Sequence, residues 1–173
     1  MNSCHNGCQP VLAASMRESK CAIIPDEKGI YKWWAAEEEL EKIKKVLGIQ
    51  CQTINSKMEH IKVDGKEIYC IYVGKADGSL QKRIRTHLRG NVNKSTLSKS
   101  IAAILDTDDR QRIRGFLDNL YVCWREISSS SEHLSQIEKK IINKFIRILN
   151  IKENDSVCKE IKEKLSNLRK NVN

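Results

Sequence analysis

The strongest constraint on the fold is the run IYCIYV at Ile68–Val73, which follows closely on an Asp-Gly pair at positions 64 and 65. An Asp-Gly pair favours a tight hairpin turn, and β-branched and aromatic residues favour a strand. Two further runs of the same character occupy 30–34 and 120–127. Because strands joined by such a turn are antiparallel, the sequence predicts a small three-stranded antiparallel sheet.

Helices are predicted between and after these strands, where apolar residues recur at helical spacing. Ser95 is placed to cap one of them, and Asp108 or Asp109 another. This order of elements predicts an α+β fold with helices flanking the sheet. We expect a loosely ordered segment over 1–22, one folded domain over 23–150 and a basic C-terminal helix over 151–173. The predicted helices span 35–47, 80–89, 95–105, 108–117, 134–149 and 155–170.

The charge of the chain predicts an anionic partner. Among 173 residues, 31 are Lys or Arg and 22 are Asp or Glu, a net charge of +9. Nucleic acid is the commonest such partner, and an anionic membrane surface is second. No apolar run approaches the ~18 residues that span a bilayer, and no basic segment followed by an apolar one opens the chain. We expect a cytoplasmic protein that does not bind membranes.

The seven cysteines form an odd set, so we interpret them as reduced thiols rather than as a disulfide framework. Cys4, Cys8 and Cys21 lack the matching second pair that a metal site would need.

A carboxylate lies where the predicted helix 134–149 needs an apolar residue. Glu138 lies about 40° from Leu134, inside an apolar arc of roughly 140° on the helical wheel. Burial of an unpaired carboxylate costs several kcal/mol. Three interpretations stay open: a capping box with Ser135, half of a structural ion pair, or a functional carboxylate. A cap at Ser131, one turn earlier, argues against the first.

The predicted helix 80–89 has the same kind of anomaly. Arg83 and His87 lie within roughly 60° of Leu80, on the apolar side. A buried histidine is usually satisfied by a carbonyl group, and Arg83 could simply pair with Glu138. The other cations of this helix, Lys82, Arg85 and Arg89, are predicted to point away.

Two tyrosines lie near strand ends. Tyr72 is followed by Gly74 and Lys75, and the glycine permits a close approach of backbone or phosphate. A cation such as Lys75 would favour the phenolate form of a neighbouring tyrosine and lower its pKa. The alternative is that Tyr31 and Tyr72 are half-buried sheet aromatics.

Taken together, these residues resemble the GIY-YIG nuclease family. Gly29-Ile30-Tyr31 is its first motif, and Tyr72-Val73-Gly74 is its second, with Val in the middle. Lys75-Ala76 extends the second motif as in the nuclease domain of the bacterial excision-repair endonuclease. The resemblance covers 23–150.

Four further positions carry the resemblance. Arg83 matches the helix arginine of the family and His87 the histidine one turn later. Glu138 matches the metal-binding glutamate, and Asn150 the asparagine that closes the motif. The chain departs from the usual pattern in one respect, because 40 residues separate Tyr31 from Tyr72 where a short hairpin is usual.

The resemblance implies hydrolysis of a DNA phosphodiester bond by water. Glu138 would hold one divalent cation, Mg²⁺ or Mn²⁺, and Arg83 would stabilise the transition state. Tyr31 would be the general base, with its pKa lowered by Lys75 and the metal-bound phosphate, and Tyr72 would orient the water or share that role. His87 would assist the phosphate or proton network. Asn150 would position Glu138 or close the site.

The expected partner is DNA, and a homodimer or partner protein for target choice is left open. Two alternatives to a metal-dependent endonuclease also stay open: a non-cleaving nucleic-acid-binding module on the same fold, and an enzyme that links a tyrosine covalently to DNA. We expect phosphate contacts from basic residues after the helix 80–89, namely Lys94, Lys99, Arg110, Arg112 and Arg114.

Overall fold

The computed structural model describes residues 9–49, 53–152 and 154–172. Within these residues the chain forms one five-stranded antiparallel sheet with strand order β1-β5-β2-β4-β3. The strands are β1 Val11–Leu12, β2 Gly29–Ala36, β3 His60–Val63, β4 Lys66–Ala76 and β5 Tyr121–Glu126. The helices are α1 Ala13–Glu18, α2 Glu37–Leu47, α3 Thr53–Ser56, α4 Leu80–Leu88, α5 Thr96–Leu105, α6 Arg110–Asp118, α7 Ser131–Lys144 and α8 Lys159–Lys170.

The α+β class is confirmed, but the prediction of three strands is wrong. The predicted strands are β2, β4 and β5, at the centre of the sheet. The Asp-Gly turn has left-handed backbone at both positions, with φ of 49° at Asp64 and 78° at Gly65. It pairs β4 with β3, a strand whose side chains are only half-buried or exposed. An edge strand of this kind gives a weak hydrophobic signal in the sequence.

The N-terminal segment is more ordered than predicted over residues 11–18. β1 pairs with β5, and Ala13 and Met16 of α1 are buried in the core. Apolar contacts to the rest of the domain fix this short segment, which has no periodicity of its own to reveal it. Residues 1–8, including Cys4 and Cys8, lie outside the described residues.

The sheet has a different layer of helices on each face. Tyr31 and Trp33 of β2 face a core formed with α2, α4, α5, α6 and α8. Ile30 and Trp34 face the second core, which includes Leu134 of α7. This alternation along β2 determines which face of the sheet carries the first tyrosine. No helix in the described residues is both long and apolar enough to cross a membrane.

Helix α7 ends five residues earlier than predicted. Its N-cap is Ser130, whose side chain accepts a hydrogen bond from His133 N. Neither Ser131 nor Ser135 is the cap, and Glu138 lies in the helix interior rather than in a capping box. After Lys144 the chain leaves the helix, because its backbone bonds other elements: Ile146 N donates to Lys57 O and Leu149 N to Ile71 O.

The insertion between β2 and β4 is fastened to the sheet by a buried ion cluster. Glu59, just before β3, accepts hydrogen bonds from Lys32 Nζ at 2.7 Å and 3.0 Å. Its other partner is Nη2 of Arg147, a side chain with no exposed surface. Glu59 O also accepts from Cys70 N. One residue thus joins the insertion, β2, β4 and the segment after α7.

Candidate active site

An open cleft of about 720 Å³ lies where the ends of β2 and β4 meet α4 and α7. Five predicted site residues line it together: Tyr31, Tyr72, Lys75, Arg83 and Glu138. They come from positions up to 107 residues apart in the chain, since 138 minus 31 is 107. The cleft also has Asp26, Asp77 and Lys82 in its wall.

Tyr31 is the centre of the hydrogen-bond network. Its side chain is 1% exposed, and Arg83 Nε donates to its hydroxyl oxygen at 3.2 Å. Nε2 of His87 lies 2.8 Å from the same oxygen. The ring of Tyr72 is tilted against that of Tyr31, with a centroid distance of 6.5 Å.

His87 lies behind Tyr31 rather than in the cleft wall. It has no exposed surface, and its Nδ1 lies 2.6 Å from Ser95 Oγ. Burial, with the Arg83 charge as a second cause, lowers the pKa of His87 to about 3. His87 is therefore a neutral imidazole at physiological pH, and it contacts the two cleft-lining tyrosines, Tyr31 and Tyr72.

Both phenols are protonated at neutral pH in the free protein. Burial raises the pKa of Tyr31 well above its ordinary value; the neighbouring Tyr72 adds to the increase, while Arg83 opposes it. Burial also raises the pKa of Tyr72, and again Arg83 opposes it. Arg83 of α4 therefore counteracts burial at both phenols, and Arg169 of α8 also does so at Tyr72.

The prediction that Lys75 lowers the tyrosine pKa is not supported by the geometry. Lys75 Nζ forms hydrogen bonds to both carboxylate oxygens of Asp77, at 2.9 Å and 2.8 Å. Lys82 also differs from expectation, because it lines the cleft, 3.6 Å from Asp26.

The family model of the GIY-YIG catalytic domain matches residues 29–171. The chain belongs to the GIY-YIG family. No curated protein and no solved structure matches it. The match includes α8, so the GIY-YIG catalytic domain extends beyond the region 23–150 in which the motifs lie.

Close packing explains both glycines of the GIY-YIG motifs. Gly74 lies opposite Tyr31 in the β2–β4 pair, and a Cβ atom at Gly74 would lie 2.3 Å from the tyrosine hydroxyl. A Cβ atom at Gly29 would lie 2.1 Å from Arg125 O. Neither position can carry a side chain without displacing its neighbour. The glycine of the second motif is therefore required by the position of the tyrosine of the first motif.

The donor set fits the single divalent cation that GIY-YIG nucleases typically use. The carboxylates in the cleft wall are Glu138, Asp26 and Asp77. Asp77 bonds Lys75, Asp26 lies near Lys82, and Glu138 reaches the cleft from α7. No cluster of three or more His, Cys, Asp or Glu side chains suited to a metal occurs among the described residues. Mg²⁺ suits such a site, because it keeps several waters and binds through one or two carboxylates plus substrate phosphates.

Asn150 bonds the backbone of β4 and does not line the cleft. Its Oδ1 accepts from Val73 N at 2.7 Å, and its Nδ2 donates to Val73 O at 2.8 Å. The side-chain amide therefore forms the two hydrogen bonds with Val73, next to Tyr72, that a neighbouring strand would otherwise form. These two bonds fix the backbone of the second GIY-YIG motif at Val73.

The predicted phosphate contacts lie outside the cleft wall. Lys94 is exposed, and its carbonyl oxygen lies 3.4 Å from Arg83 Nη1. Arg110 and Arg112 of α6 are exposed, while Lys99 and Arg114 are half-buried. Arg114 Nε donates to Arg89 O, at the end of α4. These residues extend a basic surface from α4 onto α5 and α6.

Sequence reasoning missed three residues that act on this site. Ser95 was predicted as a helix cap, and the structure confirms that, but its contact with His87 was not foreseen. Ser98 extends the same buried network, and Asp77 holds Lys75. The sequence does contain one signal for this contact: a helix-capping serine lies eight residues after a histidine on the apolar side of its helix.

Proposed function

We propose that the protein is a metal-dependent DNA endonuclease that hydrolyses phosphodiester bonds by attack of water. The observation that supports it best is the convergence of Tyr31, Tyr72, Arg83 and Glu138 on one open cleft. A general base, a cation and a carboxylate in one cleft are the groups that phosphodiester hydrolysis requires. The GIY-YIG family supports a nuclease-type reaction independently of this geometry.

In this proposal Tyr31 takes the proton of the attacking water. Tyr31 lines the cleft, and Arg83 Nε, 3.2 Å from its oxygen, would stabilise the negative charge of its phenolate form. Arg83 also faces the charge that develops on the phosphate in the transition state. Tyr72 orients the water from the neighbouring strand.

Glu138 is the proposed ligand of the divalent cation. A cation there would polarise the scissile phosphate and stabilise the leaving oxygen. Lys75 and Lys82, both in the cleft wall, would attract the DNA backbone to the site. The basic surface formed by Lys94, Lys99, Arg110, Arg112 and Arg114 would bind flanking phosphates.

The test is cleavage of end-labelled duplex, nicked, flapped and branched DNA with Mg²⁺, with Mn²⁺ and with EDTA. We expect cleavage to need the cation. Tyr31→Phe and Arg83→Ala are each expected to lower kcat by about a hundredfold or more. Glu138→Gln is expected to do the same and to raise the Mg²⁺ concentration needed for half-maximal rate.

Matched variants lie on the same helix as Glu138 and in the same sheet as Tyr31. Glu132→Gln changes an exposed carboxylate in the first turn of α7, and Tyr121→Phe changes a tyrosine of β5. Both should cleave at the wild-type rate. Metal-independent cleavage with a trapped protein–DNA adduct would indicate a tyrosine nucleophile instead. Binding of DNA without cleavage of any substrate would indicate the binding module.

A further inference from the structure

A chain of buried polar side chains extends behind Tyr31, away from the cleft. His87, Ser95 and Ser98 are between 0% and 2% exposed. Ser95 caps α5, because its Oγ accepts from Ser98 N at 2.9 Å. The same Oγ lies 2.6 Å from His87 Nδ1. The other ring nitrogen, Nε2, lies 2.8 Å from the Tyr31 hydroxyl.

The position of the single hydrogen on the neutral imidazole depends on Ser98. Its hydroxyl lies 2.8 Å from Ser95 Oγ and 3.1 Å from the carbonyl oxygen of His87. A hydroxyl has one hydrogen, and the shorter distance is the usual one for a hydrogen bond between oxygens. The carbonyl oxygen of His87 already accepts from Gly90 N at 3.0 Å. Ser98 therefore donates to Ser95, and the hydrogen of Ser95 is left for Nδ1.

We propose that Ser95 is a positioning residue whose hydroxyl donates to His87 Nδ1, so that His87 carries its hydrogen on Nε2 and donates it to the Tyr31 oxygen. Tyr31 then accepts two N–H groups, one from His87 and one from Arg83. Both stabilise the phenolate form, and the phenolic hydrogen points away from His87. In the reaction, and here the inference rests on the proposed function, His87 is a donor to the general base and not the final proton acceptor.

The direct test is the tautomer of His87 in the free wild-type protein, without metal or DNA. Long-range ¹H–¹⁵N NMR spectra distinguish a hydrogen on Nε2 from one on Nδ1. The chain has 4 histidines, so the signal missing from the spectrum of His87→Gln identifies this one. We expect the hydrogen on Nε2. A hydrogen on Nδ1 would overturn the proposal, whatever the protein cleaves.

Two variants of nearly equal shape test the role of Ser95. Asn and Asp at position 95 can both accept from Ser98 N, but only the amide of Asn can donate to Nδ1. We expect Ser95→Asn to keep the hydrogen on Nε2 and Ser95→Asp to place one on Nδ1. Ser95→Asp should also have a kcat about tenfold below that of Ser95→Asn, the size of one hydrogen bond. The same tautomer in both variants would contradict the positioning role.

Two comparisons complete the design. Ser130→Ala removes the cap of α7, which does not contact His87, and should leave the His87 signal unchanged. Ser95→Ala removes the hydroxyl, and we expect it to lose the Nε2 tautomer and to have a lower kcat. Ser95→Thr keeps the hydroxyl and should retain both the tautomer and the wild-type kcat. If the tautomer behaves as expected and the wild-type protein cleaves no DNA, the proposed function fails while the assignment of Ser95 stands.

Discussion

Tyr31, the proposed general base, lies in an environment that opposes its ionisation. Its burial raises the pKa of the phenol, while Arg83, hydrogen-bonded to its oxygen, opposes that increase. Burial and the charge of Arg83 thus act in opposite directions on the ionisation of the Tyr31 hydroxyl. The protein therefore contains very little phenolate at neutral pH, and the proposed reaction uses that small fraction.

The pH profile follows from this shift. Below the pKa of Tyr31 the phenolate fraction rises tenfold for each pH unit. We expect log kcat/KM to rise with a slope near one from pH 7 upward, without a plateau before the ordinary tyrosine pKa of about 10. The measurement is kcat/KM for cleavage of a short duplex at fixed free Mg²⁺. A plateau near pH 7, or the same slope in Tyr31→Phe, would assign the base elsewhere.

Gly74 provides a steric test at the same oxygen. A Cβ atom at position 74 would overlap the Tyr31 hydroxyl, at 2.3 Å. Gly74→Ala should displace the phenol, lowering kcat about a hundredfold and stability by roughly 1–3 kcal/mol. Gly115→Ala is the comparison, because a Cβ atom there meets nothing within 4 Å. Wild-type kcat in Gly74→Ala would show that the tyrosine is not held as described.

At the scale of elements, the insertion is attached by charge as well as by apolar packing. Lys32 of β2 and Arg147, after α7, share the carboxylate of Glu59. Two cations around one buried carboxylate hold three chain segments together. Loss of that carboxylate would leave both cations facing each other without a counterion.

Glu59→Gln should therefore destabilise the whole domain. Breaking a buried ion cluster by removing one partner costs about 3–5 kcal/mol, whereas an exposed pair contributes about 0–1 kcal/mol. The measurement is the free energy of unfolding from urea titration. Glu38→Gln removes the exposed Lys42–Glu38 pair and should cost less than 1 kcal/mol. Equal effects of the two variants would mean that the cluster does not fasten the insertion.

At the scale of the molecule, the net charge of +9 should control the affinity for DNA. The exposed arginines of α6 lie outside the cleft, on a helix that contacts α4, so they are expected to bind phosphates several nucleotides from the scissile bond. Such contacts raise affinity without selecting a sequence.

Salt dependence tests that surface. We expect Arg110→Gln and Arg112→Gln together to reduce the slope of log affinity against log salt by about 0.9 for each lost phosphate contact. Binding is measured by fluorescence anisotropy in the Glu138→Gln background, between 50 and 200 mM KCl, values that span roughly the physiological range. Lys159→Gln with Lys164→Gln, on α8, removes the same charge from exposed positions elsewhere. An equal reduction by the α8 pair would mean that net charge acts without a defined surface.

The sequence predicts the site better than it predicts the connections that hold the site. Tyr31, Tyr72, Arg83 and Glu138 follow from local patterns, namely strand runs and the apolar faces of helices. The end of α7 at Lys144 does not, because apolar residues continue through Leu149 at helical spacing. The helix ends because the backbone after Lys144 forms hydrogen bonds to Lys57 and to Ile71 of β4 instead. These bonds join segments that are distant in the chain, so no local pattern predicts them.

Those partners also restrict how two copies of the chain could associate. Beyond the end of β3, the outer edge of β4 is occupied at Cys70, Ile71 and Val73 by Glu59, Leu149 and Asn150 in turn. A foreign strand cannot extend the sheet there without first removing these groups. Any dimer that cuts both strands of a duplex must then join elsewhere, through the outer edge of β1 or β3 or through helices and loops, and that choice would set the spacing between its two clefts.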